Sequence, residues 1–202
     1  RWGIEVMDIA AELARADSLF RWCPACSGPN IRGMGGRGWT CPDCGFELYS
    51  NVAAAAGLIL ELGGEIVLLR RAKDPRKGFL AFPGGFVDPG ESAWDCLARE
   101  CDEELGWKPE KADFVGSYPN LYVYKGVPYA TCDLFFSASA GREVAALFDF
   151  DPAEVDGIVL APLESLPWEE IAFGSAVSAL KDYRARKNAG PWAEGSDPRH
   201  DS

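Results

Sequence analysis

Two apolar runs, VAAAAGLIL (52–60) and EIVLLRR (65–71), stand either side of ELGG (61–64). That order predicts a strand, a tight turn and a second strand. LAFPGGFVDPG (80–90) follows as a loop punctuated by Gly and Pro. From Glu91 to Leu105 neither residue interrupts the chain, and Gly106 then supplies a helix stop. DFVGSYP (113–119), LYVYKG (121–126) and YATCDLFFSASA (129–140) read as strands with antiparallel pairing, and 141–156 as an acidic, irregular stretch. GIVLAPLESL (157–166) predicts a strand running into a turn. Ser175 is expected to cap a last helix that turns Val177 and Leu180 inward and carries Lys and Arg near its end. Ahead of all this, EVMDIAAELARA (5–16) spaces Val6, Ile9 and Leu13 as one helical face. The pattern divides the chain into a helical segment (1–21), a Gly- and Cys-rich module (22–50), a main domain (51–187) and a disordered tail (188–202). The fold class expected is α/β, a mixed sheet with the 91–105 helix on one face and the last helix on the other.

The module at 22–50 lacks an apolar core of its own, and its cysteines supply an alternative. Cys23-Pro-Ala-Cys26 and Cys41-Pro-Asp-Cys44 form two C-x2-C knuckles fourteen residues apart. Two such knuckles close a tetrahedral shell of four thiolates, the arrangement of a structural Zn2+ site. A redox pair and an iron site are the competing readings. The only histidine, His200, lies in the tail, so a mixed Cys/His site is not available. Gly28 and Gly45 follow the sulfurs where tight turns are needed. Four cysteines leave no open position for water, so the zinc reads as structural, its binding energy replacing the missing core. A nucleic-acid contact by the ribbon is the other use, supported by Arg32 and Arg37 alone.

Three glutamates on the predicted helix set the second problem. At about 100° per residue, with Glu100 at zero, Glu103 falls near −60° and Glu104 near +40°. Trp94, Leu97, Cys101 and Leu105 form an apolar stripe between about +60° and +140°, and Asp95 and Asp102 take the opposite side. The glutamates therefore flank the buried stripe rather than oppose it. Such carboxylates can line a cleft and suit Mg2+ or Mn2+, although a merely solvated acidic face gives the same spacing. The glycine-rich loop before the helix, Gly84-Gly85 with Pro89-Gly90, permits a close turn whose carbonyls face a metal. Glu91 begins the helix, where a carboxylate also suits the dipole.

Gly85, Glu91, Arg99, Glu100, Glu103, Glu104 and Gly106 fall in register with G-x5-E-x7-R-E-U-x-E-E-x-G-U, where U is a bulky aliphatic residue. The stretch resembles the Nudix box. Cys101 and Trp107 depart at the variable positions and keep apolar character. The resemblance implies a Nudix α/β/α sandwich behind a small zinc ribbon, and an enzyme that hydrolyses a nucleoside diphosphate linked to a group X, such as NADH, NAD+, ADP-ribose, FAD or a nucleotide sugar. It implies Mg2+ or Mn2+ held by Glu100, Glu104 and Glu103, with the Gly85 carbonyl completing a shell and Glu103 as a third ligand or a base. It implies that Arg99 pairs with Glu91 and holds the loop on the helix. Some members use a carboxylate outside the box, for which Glu154 is a candidate; a solvated loop charge is its plainer reading. A four-cysteine ribbon before a Nudix domain is similar to the NADH pyrophosphatase branch. That branch carries Ser-Gln-Pro-Trp-Pro-Phe-Pro after the box, and SYPNLYVYKGVPYA (117–130) stands here instead. Ribbon-bearing relatives commonly form homodimers, which the resemblance extends to this chain.

Bulk properties narrow the partners. The 202 residues carry a net charge of −11, which argues against gripping a nucleic-acid backbone but not against a small phosphorylated substrate held through a divalent ion. Seven cysteines, an odd number with four in tight pairs, point to metal binding in a reducing compartment and so to the cytoplasm. No apolar run reaches the length of a membrane helix, and no basic-then-apolar signal opens the sequence. Tyr118, Tyr122, Tyr124 and Tyr129 offer a stacking face for a base or an ordinary sheet face. Arg70, Arg71, Lys73, Arg76 and Lys77 meet distal phosphates or solvate a loop. Two other functions stay open: a nucleotide sensor whose ribbon binds a partner, and a cap-removing hydrolase. Sensors often lose a catalytic glutamate, and all are present here.

Overall fold

The computed structural model describes residues 9–189. The expectations for Val6 and for most of the tail lie outside the described residues. Helix α1 (Ile9–Arg15) runs into a 3-10 turn at Ala16–Ser18. There the Asp17 carboxylate accepts the backbone N–H groups of Gly35 and Gly36, both at 2.9 Å. Trp39 Nε1 donates to the Asp17 carbonyl at 3.3 Å, and the Trp39 ring meets Phe20 edge-on at 4.8 Å. These contacts fasten α1 to a small antiparallel sheet of β1 (Arg32–Gly33), β2 (Gly38–Thr40) and β3 (Glu47–Tyr49). The apolar side chains buried between 22 and 50 are Trp39, Cys23 and Cys41, too few for a core.

The main sheet is built from β4 (Ala53–Leu62), β5 (Glu65–Arg71), β6 (Leu80–Ala81), β7 (Gly84–Phe86), β8 (Asp113–Tyr124), β9 (Val127–Ala140) and β10 (Val155–Pro162). Its order is β10-β5-β4-β9-β8, with β6 on β5 and β7 on β4. The β4–β9 pair is parallel and the others are antiparallel. Helices α2 (Ala93–Leu105) and α3 (Gly174–Ala189) cover opposite faces. Leu58, Leu60, Leu62, Val67 and Leu69 pack with Cys96, Leu97, Cys101 and Leu105 of α2. Ile59, Ile66 and Leu68 pack with Val177, Leu180 and Tyr183 of α3. Burial on both faces explains why β4 and β5 are continuous apolar runs rather than alternating ones. The expected α/β/α arrangement is the one observed. Among the described residues, no helix is long and apolar enough to cross a membrane.

Several local expectations change. DFVGSYP and LYVYKG are one strand, β8, because Pro119 sits on the sheet's edge, where a missing N–H breaks no ladder. The loop at 80–90 contains the short strands β6 and β7. Ser175 lies inside α3, and its hydroxyl donates to Asp133 at 2.6 Å instead of capping the helix. Asn188 and Ala189, assigned to the tail, complete α3.

The end of α3 is tied back to β4 through Glu61, which accepts Tyr183 Oη at 2.7 Å and Lys187 Nζ at 2.8 Å. Burial pushes the Glu61 pKa up, but the bonds from Lys187 and Tyr183 outweigh it and leave the carboxyl below its ordinary value. This tie is therefore in force above the ordinary carboxylate range and is lost as pH falls through the depressed value. Glu61→Gln is expected to lower the melting temperature at neutral pH. The gap to the parent should close progressively below about pH 4. A gap unchanged by pH in thermal melts would contradict the tie. Leu97, fully buried, tests the α2 face: Leu97→Ala is expected to cost about 2–5 kcal/mol in urea unfolding, and a loss below about 1 kcal/mol would contradict it.

Candidate active site

Helix α2 is held at both ends. Ser92 and Asp95 form a reciprocal cap, with Asp95 N–H donating to Ser92 Oγ at 3.2 Å and Ser92 N–H to Asp95 Oδ2 at 3.0 Å. Gly106 closes the helix in the left-handed region, at φ 63°. Cys96, Leu97, Cys101 and Leu105 are buried, whereas Trp94, placed on the apolar stripe from sequence, is 37% exposed. Cys96 takes its place, with its thiol 3.3 Å from the Phe86 carbonyl. The buried stripe is thus rotated toward the glutamates, and it carries Glu100 and Glu104 inward.

Arg99 organises the charges around them. Its Nε and Nη2 donate to the two oxygens of Glu91 at 2.7 and 3.1 Å, a paired fork that holds the Glu91 carboxyl below its ordinary pKa. Nη1 reaches Glu100 Oε1 at 2.8 Å and Glu103 Oε2 at 3.1 Å, and Nη2 reaches the Phe86 carbonyl at 3.2 Å. One guanidinium therefore binds the helix start, two box glutamates and the β7 loop. Gly85 lies directly over Glu100: a Cβ there would overlap the Glu100 carboxylate. Burial raises the Glu100 pKa against the pull of Arg99.

Glu104 differs from its neighbours. Its carboxylate accepts the Gly84 N–H at 2.8 Å and lines a cleft. Burial pushes its pKa up to about 8; the Gly84 N–H opposes this, and Glu100 and Glu154 add repulsion. Glu154 lines the same cleft from the loop before β10, its Oε1 2.5 Å from Lys73 Nζ. Glu103 is half exposed, pairs with Arg99 and does not line the cleft. The site thus groups Glu104 and Glu154 in the cleft and Glu100 under Gly85, with Glu103 at the outer edge. Glu100 and Glu104, both raised above the ordinary carboxylate range chiefly by burial, form a donor set that a hard divalent cation fits, because the cation relieves both.

The cleft is half open to solvent and spans about 870 Å³ of empty space, solvent included. Phe86, Tyr122 and Phe173 form an aromatic wall, with Phe86–Tyr122 edge-on at 5.2 Å and Tyr122–Phe173 tilted at 5.9 Å. Tyr122 is the one of the four tyrosines that lines it. Tyr118 is buried with its hydroxyl on Asp182, while Tyr124 and Tyr129 are exposed. Among the five basic residues before the box, Arg71 lines the cleft and stacks over Phe173 at 5.2 Å. Arg70 pairs with Glu170, Lys73 with Glu154, and Arg76 lies over Phe79. Sequence reading missed Asn120, Thr131, Asp133 and Ser175, which line the deep end. The available signal was an aspartate at an inward register of the apolar run YATCDLFF.

The four knuckle cysteines are free, and their sulfurs all lie within 4.8 Å of one another. Cys23–Cys44 and Cys26–Cys41 are separated by 3.7 and 3.8 Å. A tetrahedron with Zn–S bonds of about 2.3 Å has edges of about 3.8 Å, so the cluster fits a zinc ribbon. Gly45 turns left-handed at φ 74°, as expected; in the first knuckle that role falls to Ser27, at φ 59°, rather than to Gly28.

Residues 50–180 match the family model described as the NUDIX domain. The chain is similar to the NAD-capped RNA hydrolase NudC of Pseudomonas fluorescens, at 32% identity over 115 residues, 56% of this chain and 41% of that protein. With NudC of Stutzerimonas stutzeri the identity is 27% over 191 residues, 92% of this chain and 64% of the relative. An ADP-ribose pyrophosphatase of Methanocaldococcus jannaschii is 38% identical over 73 residues, 36% of this chain and 43% of its own. The chain thus spans less than two thirds of the length of each. Among solved structures, a NUDIX hydrolase from Nitrosomonas europaea superposes with a TM-score of 0.58 at 25% identity, covering 85% of this chain and 94% of that one. With the box glutamates, the sandwich and this match over most of its length, the chain belongs to the Nudix family.

Proposed function

We propose that this chain is a divalent-metal-dependent pyrophosphohydrolase that cleaves the diphosphate of a nucleoside diphosphate linked to X. The observation that carries the reading is Glu104: a carboxyl withdrawn into a roomy cleft, sharing it with Glu154, above an Arg99 clamp already saturated by Glu91, Glu100 and Glu103. Glu104 and Glu100 are the residues we assign to hold Mg2+ or Mn2+, with the Gly85 carbonyl and Glu103 as outer contributors. The ion supplies positive charge against the diphosphate and lowers the pKa of water. Arg99 and Glu91 keep the carboxylates in place, a support whose loss typically costs 10–100-fold. Glu154 is the carboxylate we assign to accept a proton, supported by its position lining the cleft and by the Lys73 contact that fixes it. The aromatic wall excludes water from one side of the cleft and offers ring faces for stacking.

The relatives support a dinucleotide-like substrate, since one group is named for NAD-capped RNA and another for ADP-ribose. Both chemistries share a nucleoside, a diphosphate and a second sugar-borne group. The net charge of −11 favours the free nucleotide over a long RNA backbone. The four cysteines are assigned to structural Zn2+, and their use to a reducing, cytoplasmic setting.

With Mg2+, the parent protein should release two monophosphates, or a monophosphate and X-phosphate, from at least one of NADH, NAD+, ADP-ribose, FAD or a nucleotide sugar. Glu104→Gln should reduce turnover by about 100-fold or more with an unchanged melting curve. Full activity of Glu104→Gln, or no cleavage across the panel, would overturn the reading. For the ribbon, Cys41→Ser should lose stoichiometric zinc in elemental analysis and expose Trp39 fluorescence to quencher. Full zinc retention would contradict a four-sulfur site.

A further inference from the structure

We infer that Asp133 reads the amino group of an aromatic ring on the substrate, and so selects which nucleotides enter the cleft. This rests on the reading of the cleft as a site for diphosphate-linked nucleotides. Asp133 stands on β9, only 9% exposed, and lines the deep end of the cleft. Its three hydrogen-bond donors are neutral: Thr131 Oγ1 at 2.6 Å on Oδ1, and Ser175 Oγ at 2.6 Å and Asn120 Nδ2 at 2.9 Å on Oδ2. Among the described residues, no Lys, Arg or His forms an ion pair with it. An ionised carboxylate offers about four lone-pair positions. Three are taken, and the open one is on Oδ1. The charge is solvated by hydroxyls and an amide, and one acceptor position is left for a ligand.

The surroundings give that ligand its shape. Asp133 pairs in register with Ala55 of β4, and Ala55 pairs with Phe86 of β7. The row from Asp133 to Phe86 crosses three strands, about 10 Å, over a residue with only a methyl group. At the next row the Phe135 ring lies against Gly57, where a Cβ would strike it, so that ring bounds the floor. A planar ring fits over this shallow floor, beside Tyr122 and Phe173, with one edge at Asp133. At that edge an N–H donor gains a charge-assisted bond. A bare C–H leaves the carboxylate short of a partner, and an anionic group meets repulsion. The class selected is therefore a nucleotide whose ring bears an exocyclic amino or amide N–H.

The test is binding, so that it does not depend on hydrolysis. Calorimetry on the parent protein with Mg2+ would compare methylene-bridged ADP-ribose, which cannot be cleaved, with the same compound whose purine lacks the 6-amino group. The amino-bearing compound is expected to bind at least about tenfold more tightly. Adding Asp133→Asn should reduce that ratio to within about threefold while leaving the affinity for the amino-free analogue unchanged. A purely structural Asp133 would weaken both ligands alike and preserve the ratio, which would overturn the proposal. So would a ratio near one before Asp133 is changed, a comparison that needs no variant at this position, or failure of both ligands to bind. A tenfold ratio that Asp133→Asn abolishes, in a parent protein that hydrolyses nothing, would sink the enzymatic reading and leave this inference standing. Turnover with a ratio near one would do the reverse.

Discussion

The structure turns on the partial burial of like charges at one end of α2. Glu104 and Glu100 are drawn inward by the helix face that packs Leu97, Cys101 and Leu105 under the sheet. Arg99 could neutralise them, yet its five N–H donors are spread over Glu91, Glu100, Glu103 and a backbone carbonyl, and none reaches Glu104. Glu104 keeps one backbone N–H for company, and burial pushes its pKa up to about 8. A carboxyl whose charged form burial disfavours is relieved by a cation in this cleft, and a diphosphate substrate needs the same positive charge from the other side.

The sandwich exists to hold that arrangement still. Both faces of β4 and β5 are covered, so α2 cannot slide without uncovering a core of leucines. The β7 loop is pinned to β4 by strand pairing and to α2 by Arg99. Gly84 and Gly85 allow the close approach: a side chain on Gly84 would run into the Ala56 carbonyl, and one on Gly85 into Glu100. The ribbon is stabilised by different means. With a single buried tryptophan and two buried cysteines it has little apolar surface to remove from water, and its four clustered sulfurs fit a metal whose bonds would supply what a core contributes elsewhere.

Much of this was legible in the sequence, and the reasons differ by element. The unbroken apolar runs of β4 and β5 announced strands covered on both faces, and the cysteine spacing announced a four-sulfur cluster. Gly106 marked the end of α2, and the box register placed the charged residues. Trp94 misled because a helical wheel ranks residues by polarity alone, whereas β7 packs against the Cys96 side of the helix. Ser175 misled because a hydroxyl near a helix start suits a cap, but a buried aspartate across the sheet offered a stronger acceptor. The deep end of the cleft was the least legible. Asn120, Thr131, Asp133 and Ser175 come from β8, β9 and α3, and only the sheet register brings them together.

The central claim is that a divalent ion meets the charge of Glu104 and Glu100. Anomalous diffraction from crystals soaked in millimolar Mn2+ with a non-hydrolysable diphosphate analogue addresses it directly. The account predicts a manganese peak within coordination distance of a Glu104 oxygen and a Glu100 oxygen, about 2.2 Å. A fully bound analogue with no anomalous peak at either carboxylate would contradict it.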